Sequence, residues 1–369
     1  MQDSTAPFRA DMVGSLLRTA PLKEARTKHA NAAITAPQLQ AVEDEEIRKL
    51  VAKQAAVGLK LATDGEFRRA WWHFDFFWGL QGCERVTVDQ GIKFHGVHTK
   101  AESLQVTGKL DFPADHPMLE HFRFLKSVSP AAVPKMTIPS PSVMHFRSGR
   151  AAIGPQAYPD MDGYFEDLAK VYGKAIKSFY DAGCRYLQLD DTAWAYLCSK
   201  EQMQEASKRG EDVDRLPGIY AQVINTALKS KPADMVITTH VCRGNFRSTW
   251  ISEGGYEPVA ERLLAAIDYD GYFLEYDTER AGGLEPLRFL PKGKKRVVVG
   301  LVTSKSGTLE NKDDIKRRLE EASQYVALDQ LCLSPQCGFA STEEGNILAE
   351  EEQWAKLKMI VEIAREVWR

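Results

Sequence analysis

Residues 237–246 read ITTHVCRGNF. A β-branched run of this kind favours a strand. In an extended chain positions i and i+2 point to the same side, so the His240 imidazole and the Cys242 sulfur converge on one point at the end of that strand. Convergent nitrogen and sulfur donors suit a metal ion, and a site of that kind asks for a fold that gathers strand ends.

The rest of the chain supplies such a fold. Short β-rich runs alternate with longer amphipathic stretches, the signature of βα units around a parallel sheet. The strand candidates are ADMVGS (10–15), LKLATDGEF (59–67), VPKMTIPS (133–140), YLQLDD (186–191), DMVITTHVC (234–242), DGYFLEYD (270–277), KRVVVGLVTS (295–304) and QLCLSPQCG (330–338). Amphipathic helices are expected near 38–57, 161–182, 256–266, 311–327 and 350–368. Segment 83–111, CERVTVDQGIKFHGVHTKAESLQVTGKLD, alternates at period two and reads as antiparallel strands. No repeat, low-complexity tract or linker divides the chain. The expectation is an α/β protein: one (β/α)8 TIM barrel over residues 1–369, with the antiparallel β segment inserted after the second βα unit.

Composition narrows the function. The 369 residues are 44% hydrophobic, enough for a large core, and the formal net charge of −3 argues against nucleic acid as a partner. No run reaches the roughly 18–20 apolar residues of a membrane span, so a soluble, cytoplasmic protein is expected. Six cysteines, none in a CxxC pair, are too sparse for a disulfide framework. Oligomeric state is not legible.

The informative residues stand at the strand ends: Ser15, Asp64 and Glu66, Ser140 and Ser142, Asp190 and Asp191, His240 and Cys242, Glu275, Thr303 and Ser304, and Cys337. In a TIM barrel the C-terminal strand ends form the active-site rim. A lone histidine or cysteine there is more often structural. Glu275 at the end of the next strand and Cys337 just past the last one complete a donor set of one nitrogen, two sulfurs and one oxygen, which suits tetrahedral zinc better than magnesium or calcium. Cys83, Cys184, Cys198 and Cys332 have no partner at ligand spacing and are read as structural. A zinc ion held by two thiolates is a weak Lewis acid for hydrolysis but a good holder of a third thiol as nucleophilic thiolate, which points to thiol alkylation.

These residues also carry a resemblance. THVC with a following Phe, GYFLEYD, SPQCGF, LQLDD and DGEFRR are similar to motifs of the cobalamin-independent methionine synthases, in their C-terminal catalytic barrel. WWHFDF and HVCRGNFRSTW resemble segments of the short, single-barrel members. The resemblance implies that His240, Cys242, Glu275 and Cys337 bind zinc. It further implies that Ser15 contacts homocysteine, and that Glu66 and Asp190 hold the substrate ammonium and orient it for catalysis. The implied partners are homocysteine and a methyl donor: methyltetrahydrofolate, methylcobalamin or a methyl group delivered by a protein.

The chain departs from the family in two places. Pro141 stands near the family's pterin-stacking Trp, and Thr303 stands where the family has a His thought to protonate the leaving group. Both departures touch the donor half of the reaction. The aromatic run WWHFDFFWGL (71–80) has two open readings, a substitute stacking platform or a packed loop under the β insertion. Two other functions stay open as well: another zinc-thiolate alkyl transfer, such as thiol addition to an epoxide, and a homocysteine- or zinc-binding protein without turnover.

Overall fold

The computed structural model describes residues 5–147 and 149–368. Its centre is a seven-stranded parallel sheet, TIM-barrel-like in its curl. In chain order the strands among the described residues are β1 Leu61–Ala62, β2 Gln81–Thr87, β3 Lys93–Phe94, β4 Val97–His98, β5 Glu102–Asp111, β6 Val133–Pro139, β7 Tyr186–Asp191, β8 Val236–Val241, β9 Gly271–Glu275, β10 Arg296–Val302 and β11 Leu331–Pro335. The parallel sheet runs β1-β6-β7-β8-β9-β10-β11. Its strands are buried almost throughout and rich in Val, Ile and Leu, as strands covered on both faces must be.

The expected first strand, 10–15, is reduced to a single parallel bridge between Ala10 and Leu333. The Asp11 carboxylate explains this. It accepts the backbone amides of Phe8 and Met12 at 2.9 and 2.8 Å, taking donors that a strand ladder would use. The segment still reaches β11, through Asp11 N to Leu333 O at 3.0 Å. On its other side the Thr63 hydroxyl donates to Gly14 O at 2.6 Å. The second expected strand is likewise cut to two residues, because the Gln54 side chain bonds both the amide and the carbonyl of Thr63.

The antiparallel segment is present as the pairs β2–β5 and β3–β4, but its position needs correcting. It lies between β1 and the helix Pro117–Val128, inside the second βα unit and not after it. A loop that follows a barrel strand belongs to the C-terminal face, and the segment accordingly packs against that rim. Phe94 meets Phe246 at 5.3 Å between ring centroids, and His95 N donates to Trp250 O at 3.2 Å.

The helices expected near 38–57, 161–182, 311–327 and 350–368 form as Ala36–Val57, Met161–Asp181, Lys312–Ala322 and Glu350–Val367. Capping side chains set three of the starts: Thr35, Asp160 and Asn311 each accept a first-turn amide. The stretch 256–266 forms one α-turn, Glu257–Ala260, that widens into a π-turn, Glu261–Ala265. Among the described residues no helix is long and apolar enough to cross a membrane.

Candidate functional site

Parallel register brings the strand-end residues to one rim. Asp190 lies opposite His240, and Glu275 opposite Gly300. His240, Cys242, Glu275 and Cys337 are all buried, and their ligand atoms lie within 4.8 Å of one another. The two sulfurs are 3.4 Å apart; two sulfurs on a zinc tetrahedron would be about 3.7 Å apart, given bonds of about 2.3 Å. Neither ring nitrogen of His240 has a hydrogen-bond partner. Glu275 is held in place, accepting from Arg243 N at 2.8 Å and from Gln336 Nε2 at 3.4 Å, while Gly244 N points at the Cys242 sulfur at 3.3 Å. Soft sulfur donors beside an imidazole and a carboxylate fit zinc.

The electrostatics match a site meant to hold charge. The Cys242 thiol hydrogen-bonds the Cys337 sulfur and holds it well below the ordinary thiol range; the same bond, together with burial, pushes Cys242 up. Burial opposes the charged form of His240, but the Cys337 sulfur, Asp190 and Glu275 raise its pKa overall. Burial raises Glu275. By contrast, burial alone or as the main cause pushes Cys83, Cys184 and Cys332 up to about 12 and Cys198 up to about 11, which leaves four inert thiols.

Beside the ligand set lie the other strand-end residues. Glu66 sits in a left-handed conformation, φ 61°, with its amide on Asp64 Oδ1 at 2.8 Å. Its carboxylate takes one bond from the Thr137 hydroxyl at 3.0 Å and leaves Oε2 buried without a partner. Burial raises Glu66 and pushes Asp190 up to about 7. Gln188 Nε2 donates to Asp190 Oδ1 at 2.6 Å. Ser15 packs against the loop that carries Cys337, so closely that a side chain at Gly338 would meet Ser15 Oγ at 2.0 Å.

Not every strand-end residue joins this cluster. The Thr303 amide turns to Glu310 Oε1 at 2.8 Å, and Asp191 accepts from the Ser142 hydroxyl and from Ala193 N. Pro141 opens the short helix Pro141–Phe146. In the aromatic run, Trp71, Phe74, Phe76 and Phe77 are buried in the core, with Trp71 Nε1 on Glu102 Oε2 at 2.7 Å, which is the packed-loop reading.

Sequence reasoning missed two side chains. The ammonium of Lys305 is buried without a hydrogen-bond partner, and its charge favours the anionic forms of Cys242, Cys337 and Glu275. The Arg18 guanidinium ties the rim loops together through the carbonyls of Ala340, Glu66 and Arg69. Each is a single charged residue in a loop, with no spacing signal to mark it.

The family model "Cobalamin-independent synthase, Catalytic domain" matches residues 151–366, more than half of the chain. The chain belongs to the cobalamin-independent methionine synthase family. Within it, the uncharacterized protein YxjH of Bacillus subtilis is 54% identical over 364 residues, covering 99% of this chain and 96% of that protein. A methionine synthase of Sulfolobus acidocaldarius is 24% identical over 351 residues, 92% of this chain and 87% of its own. A Listeria monocytogenes protein of known structure, described as a candidate vitamin-B12-independent methionine synthase, superposes with a TM-score of 0.81 at 45% identity, covering 100% of both chains. Membership in the methionine synthase family supports a methyltransferase role.

Proposed function

We propose that the protein is a zinc-dependent S-methyltransferase that methylates the thiol of homocysteine to give methionine, working as one catalytic (β/α)8 barrel. The carrying observation is the buried set His240, Cys242, Glu275 and Cys337, converging with both His240 nitrogens unpartnered, beside two buried carboxylates. The methionine synthase of Sulfolobus acidocaldarius, alike over most of the chain, supports the choice of substrate. Unpaired thiols at the site suit a reducing cytoplasm.

His240, Cys242, Glu275 and Cys337 would hold the zinc. Bound there, zinc supplies a thiolate from the substrate thiol at neutral pH without destroying its nucleophilicity. Glu66 and Asp190 take the substrate ammonium: a cation placed between two buried carboxylates favours their charged forms and fills the vacant lone pair on Glu66 Oε2. Ser15, beside the Cys337 loop, hydrogen-bonds the carboxylate end of the amino acid. Lys305 offsets the negative charge that accumulates as a third thiolate joins two thiolates and a carboxylate. In the transfer a sulfur–carbon bond forms, the bond from methyl to donor breaks, and the donor leaves with the electron pair.

The donor half lacks two parts. Methyltetrahydrofolate is a poor electrophile whose leaving amine needs a proton, and Pro141 and Thr303 offer neither a stacking ring nor an acid. A more reactive methyl source, methylcobalamin or a protein-delivered methyl group, therefore suits the site better. Methionine formation from methyltetrahydrofolate, its triglutamate and methylcobalamin, assayed side by side with homocysteine, tests the reading. Turnover with methylcobalamin alone is expected. Fast turnover with either folate contradicts the donor assignment, and no methionine from any of the three contradicts methylcobalamin as the donor.

A further inference from the structure

Glu275 is held at both ends by groups outside the sheet ladder. The pairing of β8 with β9 stops at Val241 opposite Leu274. In a continued parallel ladder the next bonds between these strands would run backbone to backbone. Side chains take over instead. The Glu275 amide donates to the Tyr256 hydroxyl at 3.0 Å, and the Arg243 amide donates to Glu275 Oε1 at 2.8 Å. The chain is thereby free to leave the sheet at Cys242 while Glu275 stays fixed at the end of β9.

Tyr256 is itself pinned. It is 1% exposed, and it stands at the entry to the turn Glu257–Ala260. Its ring lies 5.3 Å from the Tyr276 ring between centroids, and the Arg243 guanidinium carbon lies 4.5 Å from its centre. Nε, Nη1 and Nη2 of Arg243 are buried without hydrogen-bond partners, so this cation meets the aromatic face in place of an acceptor. The loop between the two residues folds back on itself, with Ile251 N and Ser252 N donating to Arg243 O at 3.0 and 3.1 Å. One residue, Arg243, thus holds the Glu275 carboxylate through its backbone and packs on the ring of Tyr256 through its side chain. The other hold on the carboxylate, from Gln336 Nε2, is longer at 3.4 Å.

Resting on the zinc reading, we propose that Tyr256 is a positioning residue of the metal site: its hydroxyl, together with the Arg243 amide, fixes Glu275 where its carboxylate ligates the metal. Groups that orient a ligand without touching the metal contribute to affinity because ligation tolerates little displacement. Removing the hydroxyl leaves the Glu275 N–H buried and unpaired, and the end of β9 moves to relieve it. His240, Cys242 and Cys337 are carried by other segments and keep their places.

Zinc affinity, measured by chelator competition on wild type, Tyr256→Phe, Glu275→Ala and the double variant, tests this. Phenylalanine keeps the ring beneath Arg243 and removes only the acceptor. Tyr256→Phe should bind zinc about tenfold to a hundredfold more weakly than wild type. In the Glu275→Ala background the same substitution should change affinity by no more than about twofold, because the ligand it serves is gone. Wild-type affinity in Tyr256→Phe, or an equal loss in both backgrounds, overturns the proposal and makes the hydroxyl a support of the fold alone. Loss of the fold in metal-free Tyr256→Phe, read by circular dichroism, overturns it too. Those results leave the zinc reading standing, whereas wild-type protein that binds no zinc overturns the zinc reading and this proposal together.

Discussion

Two polar clusters are buried inside the same sheet, and they treat their hydrogen bonds in opposite ways. Nearer the beginnings of the strands, Asp11, Lys135 and Tyr186 complete one another. Lys135 Nζ donates to Asp11 Oδ1 at 3.2 Å and to Met12 O at 2.6 Å, and the Tyr186 hydroxyl donates to Asp11 Oδ2 at 2.9 Å. The ammonium also lies 4.1 Å from the centre of the Phe273 ring. At the strand ends, burial is as deep, yet His240, Glu66 Oε2, Gln188 Oε1 and Lys305 Nζ have no hydrogen-bond partners. An unpaired buried polar atom costs about 1–3 kcal/mol. The first cluster has settled that cost internally and holds the fold; the second leaves it for ligands to settle. Equal burial thus hides a difference between these two clusters that their hydrogen bonds show.

The comparison breaks if stability does not follow it. Asp11→Ala leaves the Lys135 ammonium buried without its counter-ion, and should lower stability by about 3–5 kcal/mol, read from denaturant unfolding. A loss below about 1 kcal/mol would show that the lower cluster is not structural. At the rim the expectation reverses. Asp190→Asn should leave stability unchanged or slightly raised, and both Asp190→Asn and Glu66→Gln should weaken homocysteine binding tenfold or more by calorimetry, the loss of a charge-assisted contact of about 1.5–3 kcal/mol. Wild-type affinity in both variants would remove these carboxylates from the site.

The smallest effect concerns pH. Burial lowers the pKa of Lys135 below its ordinary 10.5, against the raising influence of Asp11. The unfolded chain therefore keeps this proton to a higher pH than the native protein does. Stability gains from Lys135 as pH rises toward 10.5, and that gain is lost as pH falls through the lowered native value. Wild type should gain on Lys135→Met over that alkaline window, measured by unfolding at fixed denaturant. A difference that is flat with pH would show that the charge of Lys135 costs nothing in the folded state.

The amount legible in the sequence follows the same division. Strands buried on both faces announce themselves as apolar runs, and β6 to β11 were readable for that reason. The first strand was not, because side chains of Asp11 and Gln54 stand in for ladder partners around residues 8–12 and 63, which no periodicity records. The convergence of His240, Cys242, Glu275 and Cys337 is readable because His240 and Cys242 share one face of an extended segment and the others end neighbouring strands. Lys305 was invisible, since its importance lies in an ammonium that lacks a hydrogen-bond partner, a property of the packed chain. The inserted segment was recognisable by its alternation, but only the helix Pro117–Val128 after it shows that it belongs to the rim.

The central claim is that the unsatisfied rim holds zinc and presents it to a substrate thiol. X-ray absorption at the zinc edge, with and without homocysteine and with Cys337→Ser as control, tests it most directly. The account predicts about one zinc per chain bound by one nitrogen, one oxygen and two sulfurs, one additional sulfur at about 2.3 Å when homocysteine is added, and loss of most of the zinc from Cys337→Ser. Equal zinc in the variant, or a coordination shell that homocysteine leaves unchanged, would contradict it.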